Sequence, residues 1–399
     1  MKILVQKFGG TSVATKERRM MVVDKVRKAI KEGFSPIIVV SAMGRKGEPY
    51  ATDTLLSLIN GDFKDNNKQG VDMLLSCGEI ISSVVMANEL YNEGISAIPL
   101  TGGQAGIITN NNFKEADILK VNTENLIGYL EKGLVPVVTG FQGITEDGYF
   151  TTLGRGASDF SAALLGVALK AEEIQIYTDV DGIMTADPRI VEGAYLIDTI
   201  TYNEVFQFAD QGAKVIHPRA VEMAMKGNIP LVIKNTMTDA KGTVINSYGN
   251  GENSSLFTGI TCMNERIQVK VKAEENENNE YYNNLLDVLA ENHISIDLIN
   301  IFPKEQIFTI DKPCLFKIKD IFKKINLTYS YSENCSKISL IGSRIKGVPG
   351  VMAKIIKALK TNNIEVLQTA DSHTTIWCLV DSKEADKAVN IIHDTFMGK

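Results

Sequence analysis

The stretch Ile3-Leu4-Val5-Gln6-Lys7-Phe8-Gly9-Gly10-Thr11-Ser12 decides the fold. Its apolar run, Ile3-Leu4-Val5, reads as a buried strand. The residues beyond it place Met20, Val23, Val26 and Ile30 on one face and end at Gly33, the pattern of a helix with a glycine stop. A strand, a glycine pair, hydroxyls and a helix bring backbone N–H groups close to a phosphate, with Lys7 as a cation beside them. Alone, the pattern suits a plain strand-to-helix turn as well, because it is not the long glycine-rich loop that ends in Gly-Lys-Ser/Thr.

Outward from that stretch, apolar strands and helices alternate up to about residue 245. Pro36-Ile37-Ile38-Val39-Val40 is a fully apolar strand, and Ile80, Val84, Ala87 and Leu90 line a helix that stops near Gly94. Further strands fall at Ile95–Ile98, Leu134–Val138, Ile174–Tyr177 and Leu231–Ile233. Helices fall at about Ser158–Leu169 and from Pro218 to Gly227. This alternation predicts an α/β sandwich around a mostly parallel sheet, with functional loops at the carboxyl ends of the strands. Gly, Asn and Ser dominate between Asn246 and Phe257, which marks a domain boundary. Beyond it, strand, helix, strand, strand and helix are expected in ferredoxin-like order twice: Ile267–Val271, Tyr281–Ala290 and Ile294–Ile299 open one copy. Ile338–Gly342, the helix with Ile355 and Leu359, strands at Ile364–Leu367 and Thr375–Val380, and a helix with Ala388, Ile391 and Ile392 form the other. The expected division is 1–245, a linker at 246–262, and two small domains at 263–332 and 333–399, with boundaries free to interleave.

With 399 residues, 44% hydrophobic and 23% charged, the chain has the composition of a soluble globular protein of two or three domains. The formal charge of −6 argues against a general nucleic-acid binder. No stretch approaches about 18 uncharged apolar residues, so neither a membrane span nor a secretory segment is expected. The cysteines Cys77, Cys262, Cys314, Cys335 and Cys378 are scattered and never spaced as C-x-x-C, which points to a reducing cytosol and away from a thiolate metal site.

Three more segments strengthen the opening motif. They are Ser41-Ala42-Met43-Gly44 with Thr52-Asp53-Thr54, Ser76-Cys77-Gly78-Glu79 read at the start of a helix, and Thr151-Thr152-Leu153-Gly154-Arg155-Gly156-Ala157-Ser158-Asp159. Each sets small residues and one or two ionisable ones where backbone N–H groups remain available. With Phe141-Gln142-Gly143, Tyr177-Thr178-Asp179-Val180-Asp181-Gly182, Thr185-Ala186-Asp187-Pro188-Arg189 and Gly212-Ala213-Lys214-Val215-Ile216-His217-Pro218-Arg219-Ala220, they give the chain a close resemblance to the aspartate kinases of the amino acid kinase superfamily. The tail resembles the paired regulatory ACT domains of that family. The segments Arg45-Lys46-Gly47-Glu48-Pro49-Tyr50-Ala51 and Ala370-Asp371-Ser372-His373-Thr374-Thr375-Ile376-Trp377 are most similar to those of the short, diaminopimelate-sensitive aspartate kinases of spore-forming bacteria.

The resemblance implies a three-layer amino acid kinase sandwich followed by two ACT domains, and phosphoryl transfer from ATP to the β-carboxylate of L-aspartate. Such a transfer needs alignment and positive charge more than covalent chemistry. Lys7 becomes the cation over the transferring group, Gly9 and Gly10 the backbone cradle, and Asp159 the organiser of Lys7. ATP is further assigned Thr178, Asp179, Arg189 and Lys214. The acceptor is assigned Arg155 for its α-carboxylate, Glu79 for its amine, and Ser41, Thr52 and Ser158 for remaining polar contacts. Mg²⁺ is implied on ATP oxygens, with no metal cage built by the protein. An inhibitory amino acid, meso-diaminopimelate in preference to lysine, is expected near Val348, Gly350, Val351, Asn363 and Ile364. A cytoplasmic homodimer, without nucleic-acid or membrane partners, completes the implied picture.

Plainer readings stand beside these. Lys214 could cover apolar surface with its stem, Ser158-Asp159 could cap a helix, and His217 reads as a packed or helix-start histidine. Two departures from the family pattern are Ala157, where many members have glycine, and Phe160-Ser161, where they have a polar or aromatic residue and threonine. The competing functions are an amino acid kinase with another acceptor, such as glutamate 5-kinase, and a non-catalytic amino acid sensor. The latter predicts loss of Lys7, Arg155 or Asp159, and all three are present.

Overall fold

The computed structural model describes residues 1–154, 156–213, 216–249, 256–273, 280–343, 345 and 348–398. The chain divides into two compact units. One comprises Met1–Ile183, Leu196–Ala209 and Lys214–Ser254; the other comprises Met184–Tyr195, Asp210–Ala213 and Ser255–Lys399.

In chain order the strands of the first unit are β1 (Lys2–Phe8), β2 (Phe34–Val40), β3 (Ala97–Leu100), β4 (Ile107–Thr109), β5 (Ile118–Val121) and β6 (Val135–Thr139). They continue with β7 (Gln142–Thr145), β8 (Phe150–Thr152), β9 (Glu173–Thr178), β10 (Thr199–Thr201), β11 (Leu231–Asn235) and β12 (Thr243–Asn246). Eight of them form one sheet in the order β10-β12-β11-β9-β1-β2-β6-β3. It is parallel throughout except for the β11–β12 pair. Five of the apolar runs read from sequence are its inner strands, β11, β9, β1, β2 and β6, because a parallel sheet covered on both faces leaves few residues for water. The run expected at Ile95–Ile98 is the edge strand β3, two residues later. The four short strands β5-β4-β7-β8 form a second sheet that the sequence did not disclose.

The helix Lys16–Lys31 is rich in charge and holds to the sheet through Val22, Val23, Val26 and Ala29. Burying each valine contributes roughly 1.5 kcal/mol. Thr15 caps its start, and Gly33 turns the chain back with φ of +84°. The predicted face is off by part of a turn: Ile30 is 41% exposed, and Val22 and Ala29 are buried instead. A larger correction concerns Ser76-Cys77-Gly78-Glu79. These residues lie in the middle of the helix Lys68–Asn92, which starts at Asn67, whose side chain accepts a hydrogen bond from the Gly70 N–H. By length and composition this helix could cross a membrane, yet 56% of its most apolar window is buried within the fold, as in a core helix.

In the second unit one antiparallel sheet runs β14-β15-β13-β16-β18-β17, with β13 at Gly259–Lys272, β14 at Asp297–Phe302, β15 at Glu305–Asp311, β16 at Tyr329–Ile341, β17 at Gln368–Asp371 and β18 at Thr375–Asp381. The long strands β13 and β16 pair along their length. On one half, helices Leu285–Glu291 and Leu315–Lys324 cover a core containing Val269, Phe308, Ile318 and Phe322. On the other, helices Val351–Thr361 and Ala385–Met397 cover Ile338, Leu340, Ile355, Val380 and Ile392. The strand expected at Ile364–Leu367 lies instead at Gln368–Asp371, and the expected helix Tyr281–Ala290 is split at Asn284.

Two short segments from within the N-terminal sequence belong to this unit. Thr185 accepts from the Ile260 N–H at 2.7 Å and shares a 3.0 Å hydrogen bond with the buried His393 ring. Gln211 Oε1 accepts from Ser339 Oγ and Trp377 Nε1 at 3.0 and 2.9 Å.

The helix Ala157–Ala168 lies against the parallel sheet at Gly166, where an added Cβ would stand 2.4 Å from Ile174 Cγ1. Ile174 is fully buried and has no room to withdraw. Gly166→Ala should therefore destabilise the first unit by about 1–3 kcal/mol, read as a thermal midpoint lower by roughly 2–10 °C. An unchanged midpoint would show that this contact is not tight.

Candidate active site

Strand register builds the site. Lys7 of β1 pairs with Val39 of β2 on one side and Ile176 of β9 on the other. The segments that follow these three strands, Gly9 with the short helix Gly10–Val13, the Ser41–Ala51 loop and the Thr178–Gly182 loop, therefore emerge together at the carboxyl end of the sheet, the usual position for a ligand. A cavity of about 860 Å³ opens there, and its lining includes Lys7, Ser41, Thr52, Glu79, Ser158 and Asp159.

Lys7 Nζ lies 2.6 Å from Asp159 Oδ1, and the two side chains are only 12% and 16% exposed. The pairing of these two sequence-predicted residues is thus direct. Gly10 is required by space: a Cβ there would stand 2.5 Å from the Ala42 carbonyl, and the Gly44 N–H donates to the Gly10 carbonyl at 3.0 Å. At Gly9 a Cβ would meet nothing closer than Lys7 Nζ at 3.6 Å, so only the second glycine is sterically obligatory. Ser12 faces away from a phosphate role, sharing a buried 2.7 Å hydrogen bond with Thr236.

Glu79 reaches the cavity from the long helix because Gly78 lets that helix approach; a Cβ at Gly78 would stand 2.9 Å from Ala42 Cβ. Glu79 is 3% exposed. Its Oε1 accepts from the Ala42 N–H at 3.1 Å, while Oε2 has no hydrogen-bond partner. Burial pushes the Glu79 carboxyl up to about 8. Two turns earlier on the same face, Asp72 is fully buried and accepts from the Lys114 N–H, the Thr152 N–H and Thr152 Oγ1 at 2.9, 2.8 and 2.9 Å. Burial raises its pKa against those three hydrogen bonds. Asp72 thereby fixes Thr152, two residues before Gly154, and sequence reasoning missed it. Its only signal was an acidic residue on a helix whose buried face also carries Glu79 and Glu89.

The helix that carries Asp159 begins at Ala157, whose backbone is helical, and Gly156 before it takes the left-handed φ of +69°. The Ala157 departure therefore causes no strain. A Cβ at Gly156 would collide with the His217 ring at 2.0 Å. Burial lowers the His217 pKa, with Asp159 opposing. Arg219 donates to the Leu153 carbonyl at 2.7 Å and lies 4.4 Å over the Phe160 ring, so the phenyl of the second departure has a defined partner. Ser161 keeps the hydroxyl role, accepting from the Phe141 N–H and donating to the Ala157 carbonyl.

On the β9 side, Thr178 Oγ1 donates to Asp179 Oδ1 at 3.2 Å, and Asp179 pairs with Arg45 at 2.8 Å. Asp181 is held by Asn235 and Thr238, each donating at 2.8 Å, and so braces the loop. Arg189 belongs to the second unit, where its guanidinium grips Asp187 and holds that carboxyl below the ordinary range. Arg155 and Lys214 lie outside the described residues. Among the residues expected near an effector, Ile364 lines a cavity of about 520 Å³ and Val351 is buried in the core. Gly350 and Asn363 adopt left-handed backbone, and Val348 is exposed.

Residues 2–235 match the amino acid kinase family, and residues 330–394 match an ACT domain. The chain is 45% identical to aspartokinase 1 of Bacillus subtilis, with 99% of both chains covered. It is 36% identical to an aspartokinase of Geobacillus stearothermophilus, covering 99% of this chain and 97% of that one. Its fold matches the aspartate kinase of Clostridium acetobutylicum with a TM-score of 0.80 at 22% identity, covering 99% and 100% of the two chains. It matches E. coli aspartokinase III with a TM-score of 0.77 at 24% identity, covering 99% of each. This chain belongs to the amino acid kinase family, in its aspartokinase branch.

The Glu79 carboxyl titrates near 4.5 when unfolded and near 8 in the fold. Across that window the unfolded chain has already lost the proton that the folded chain retains, so stability should fall as pH rises from about 4.5 to about 8. Glu79→Gln should flatten this part of the profile, read as denaturation midpoints between about pH 5 and pH 8. An identical pH slope in the variant would contradict the buried, neutral carboxyl.

Proposed function

We infer that this chain transfers the terminal phosphoryl group of ATP to the β-carboxylate of L-aspartate, giving ADP and 4-phospho-L-aspartate. This is the first step toward lysine through diaminopimelate, and toward threonine and methionine. The observation that carries the reading is one cavity that joins the Lys7–Asp159 pair to the unpartnered oxygen of Glu79.

The nucleophile is a carboxylate already ionised at neutral pH, so no general base is needed. Asp159 instead holds Lys7 in place, and Lys7 neutralises charge on the group in transfer. Gly9 and Gly10 bring backbone to the phosphates, while Thr178, Asp179 and Lys214 serve the nucleotide. Glu79 takes the ammonium of aspartate on Oε2, and the arriving charge drives its proton off. Arg155 grips the α-carboxylate through its two-pronged guanidinium, with Ser41, Thr52 and Ser158 completing the acceptor site. Mg²⁺ would come with ATP, on whose phosphate oxygens it would neutralise charge.

The C-terminal unit is read as two ACT domains, about 263–332 and 333–399 after a linker at 246–262, that pair across a homodimer in the cytoplasm. E. coli aspartokinase III has been crystallised with aspartate and ADP in an R-state and with lysine and aspartate in a T-state. The same two-state control is assigned here to meso-diaminopimelate, in preference to lysine, at the Val348-Gly350-Val351 turn and Asn363-Ile364.

The deciding experiment is ADP release by purified protein with aspartate, glutamate or N-acetylglutamate as acceptor. Release with aspartate alone is expected, and release with either alternative acceptor alone would overturn the assignment. Lys7→Ala should lower kcat by roughly 10²-fold or more, on the scale of losing one charge-stabilising donor, with a smaller change in aspartate KM. A folded variant within threefold of wild type would remove Lys7 from the reaction. In the same assay meso-diaminopimelate should raise the aspartate KM or lower kcat. Aspartate should in turn weaken effector binding wherever the effector weakens aspartate binding. No inhibition by meso-diaminopimelate, lysine or threonine at millimolar concentration would leave the tail without a regulatory ligand.

A further inference from the structure

Sheet order singles out one residue of the β2 loop. In the order β9-β1-β2 the glycine pair Gly9–Gly10 leaves the middle strand, flanked by the Ser41–Ala51 loop and the Thr178–Gly182 loop. Strands two apart in a sheet are separated by roughly 10 Å. Arg45, from the β2 loop, nevertheless places its Nη2 2.8 Å from Asp179 Oδ2 of the β9 loop. Its side chain therefore spans the end of β1, where Gly9 and Gly10 lie.

The backbone under this arm is firmly built. Gly44 donates to the Gly10 carbonyl at 3.0 Å, Arg45 N–H donates to Glu48 Oε2 at 3.1 Å, and Glu48 N–H returns to the Arg45 carbonyl at 2.9 Å. Gly47 N–H donates to Thr54 Oγ1 at 3.2 Å. Gly44 and Gly47 both hold left-handed φ, and a Cβ at Gly44 would collide with the Glu48 carboxylate. The side-chain end is free by contrast: Arg45 and Asp179 are 70% and 45% exposed. An exposed pair of this kind contributes little stability, so the guanidinium can leave a single carboxylate for a more highly charged partner. A phosphate offers such a partner, and its oxygens match the guanidinium fork.

We propose that Arg45 is a further nucleotide-binding residue, which exchanges Asp179 for the phosphate chain of a nucleoside triphosphate lying on Gly9–Gly10. This rests on the reading of the site as an ATP-dependent kinase. Lys7 then meets the phosphates from within the cavity and Arg45 from its mouth. Asp179 serves as the guanidinium's resting partner.

Arg45→Ala and Arg45→Lys test it, with ATP affinity measured by direct calorimetric titration and KM values by ADP release. Arg45→Ala should weaken ATP binding roughly 10-fold, the loss of a charge-assisted hydrogen bond, and leave the aspartate KM within twofold. Arg45→Lys should recover only part, and ATP affinity should fall less steeply with salt in Arg45→Ala than in wild type. ATP affinity within twofold of wild type in Arg45→Ala would overturn the proposal. So would an equal rise in the aspartate KM, the mark of a loop brace. If wild type binds ATP but releases no ADP with aspartate, the assignment of the reaction fails while the titration still decides the role of Arg45. Failure of wild type to bind ATP would overturn both.

Discussion

The ion pair between Lys7 and Asp159 is the contact on which the rest of the site depends. A lysine kept mostly from water is costly without a partner, and a carboxylate at 2.6 Å supplies one while fixing where the ammonium points. The two residues come from β1 and from the helix that begins at Ala157. Their distance is thus set by how that helix seats against the parallel sheet. Gly140 lets the end of β6 pass Ser158 closely, Gly166 brings the helix onto Ile174, and Arg219 ties the preceding loop to Phe160 and Leu153. Lys7 itself is held by two parallel ladders, so neither partner can drift.

Much of this was legible because parallel strands buried on both faces are continuous apolar runs, and their loops carry the glycine and ionisable residues. The second sheet was not, since β4, β7 and β8 have three or four residues each and include polar ones such as Thr109, Gln142 and Thr152. Those polar residues are buried, and their partners lie far off in sequence: Thr109 bonds Thr151, Thr152 bonds Asp72 of the long helix, and Gln142 donates to the Ser76 carbonyl of that helix while its Oε1 has no partner. No local pattern announces a partner that far away. The long helix was entered too late for a related reason: its apolar stripe carries Asp72, Ser76 and Glu79 at the positions that face the site. Polar residues on a buried stripe weaken the periodic signal where function is concentrated.

The second unit shows the same limit at the level of domains. The shift to Gly, Asn and Ser in the sequence follows β12, which ends at Asn246, and the C-terminal part of the second unit begins at Ser255. Nothing in the composition of Met184–Tyr195 or Asp210–Ala213 marks them as members of that unit. Their membership rests on tertiary hydrogen bonds, Thr185 with His393 and Gln211 with Trp377, and on Ala186 and Val191 entering the core around Leu340.

In the proposed reaction, the burial of Glu79 bears on which acceptor the site takes. A carboxyl pushed up to about 8 is mostly neutral at pH 7, with one oxygen satisfied by the Ala42 N–H and the other left without a partner. In the proposed reaction an incoming ammonium both satisfies that oxygen and makes the ionised form favourable. Part of the attraction is therefore used to remove a proton. An acid without an amine gains nothing from the exchange and leaves a buried polar atom unpaired, which costs about 1–3 kcal/mol. An acylated amine fails similarly, since it brings bulk without charge. Under the proposed reaction, selection for a free amino acid follows from keeping this carboxyl dry on a helix face, and Gly78 lets that helix approach Ala42.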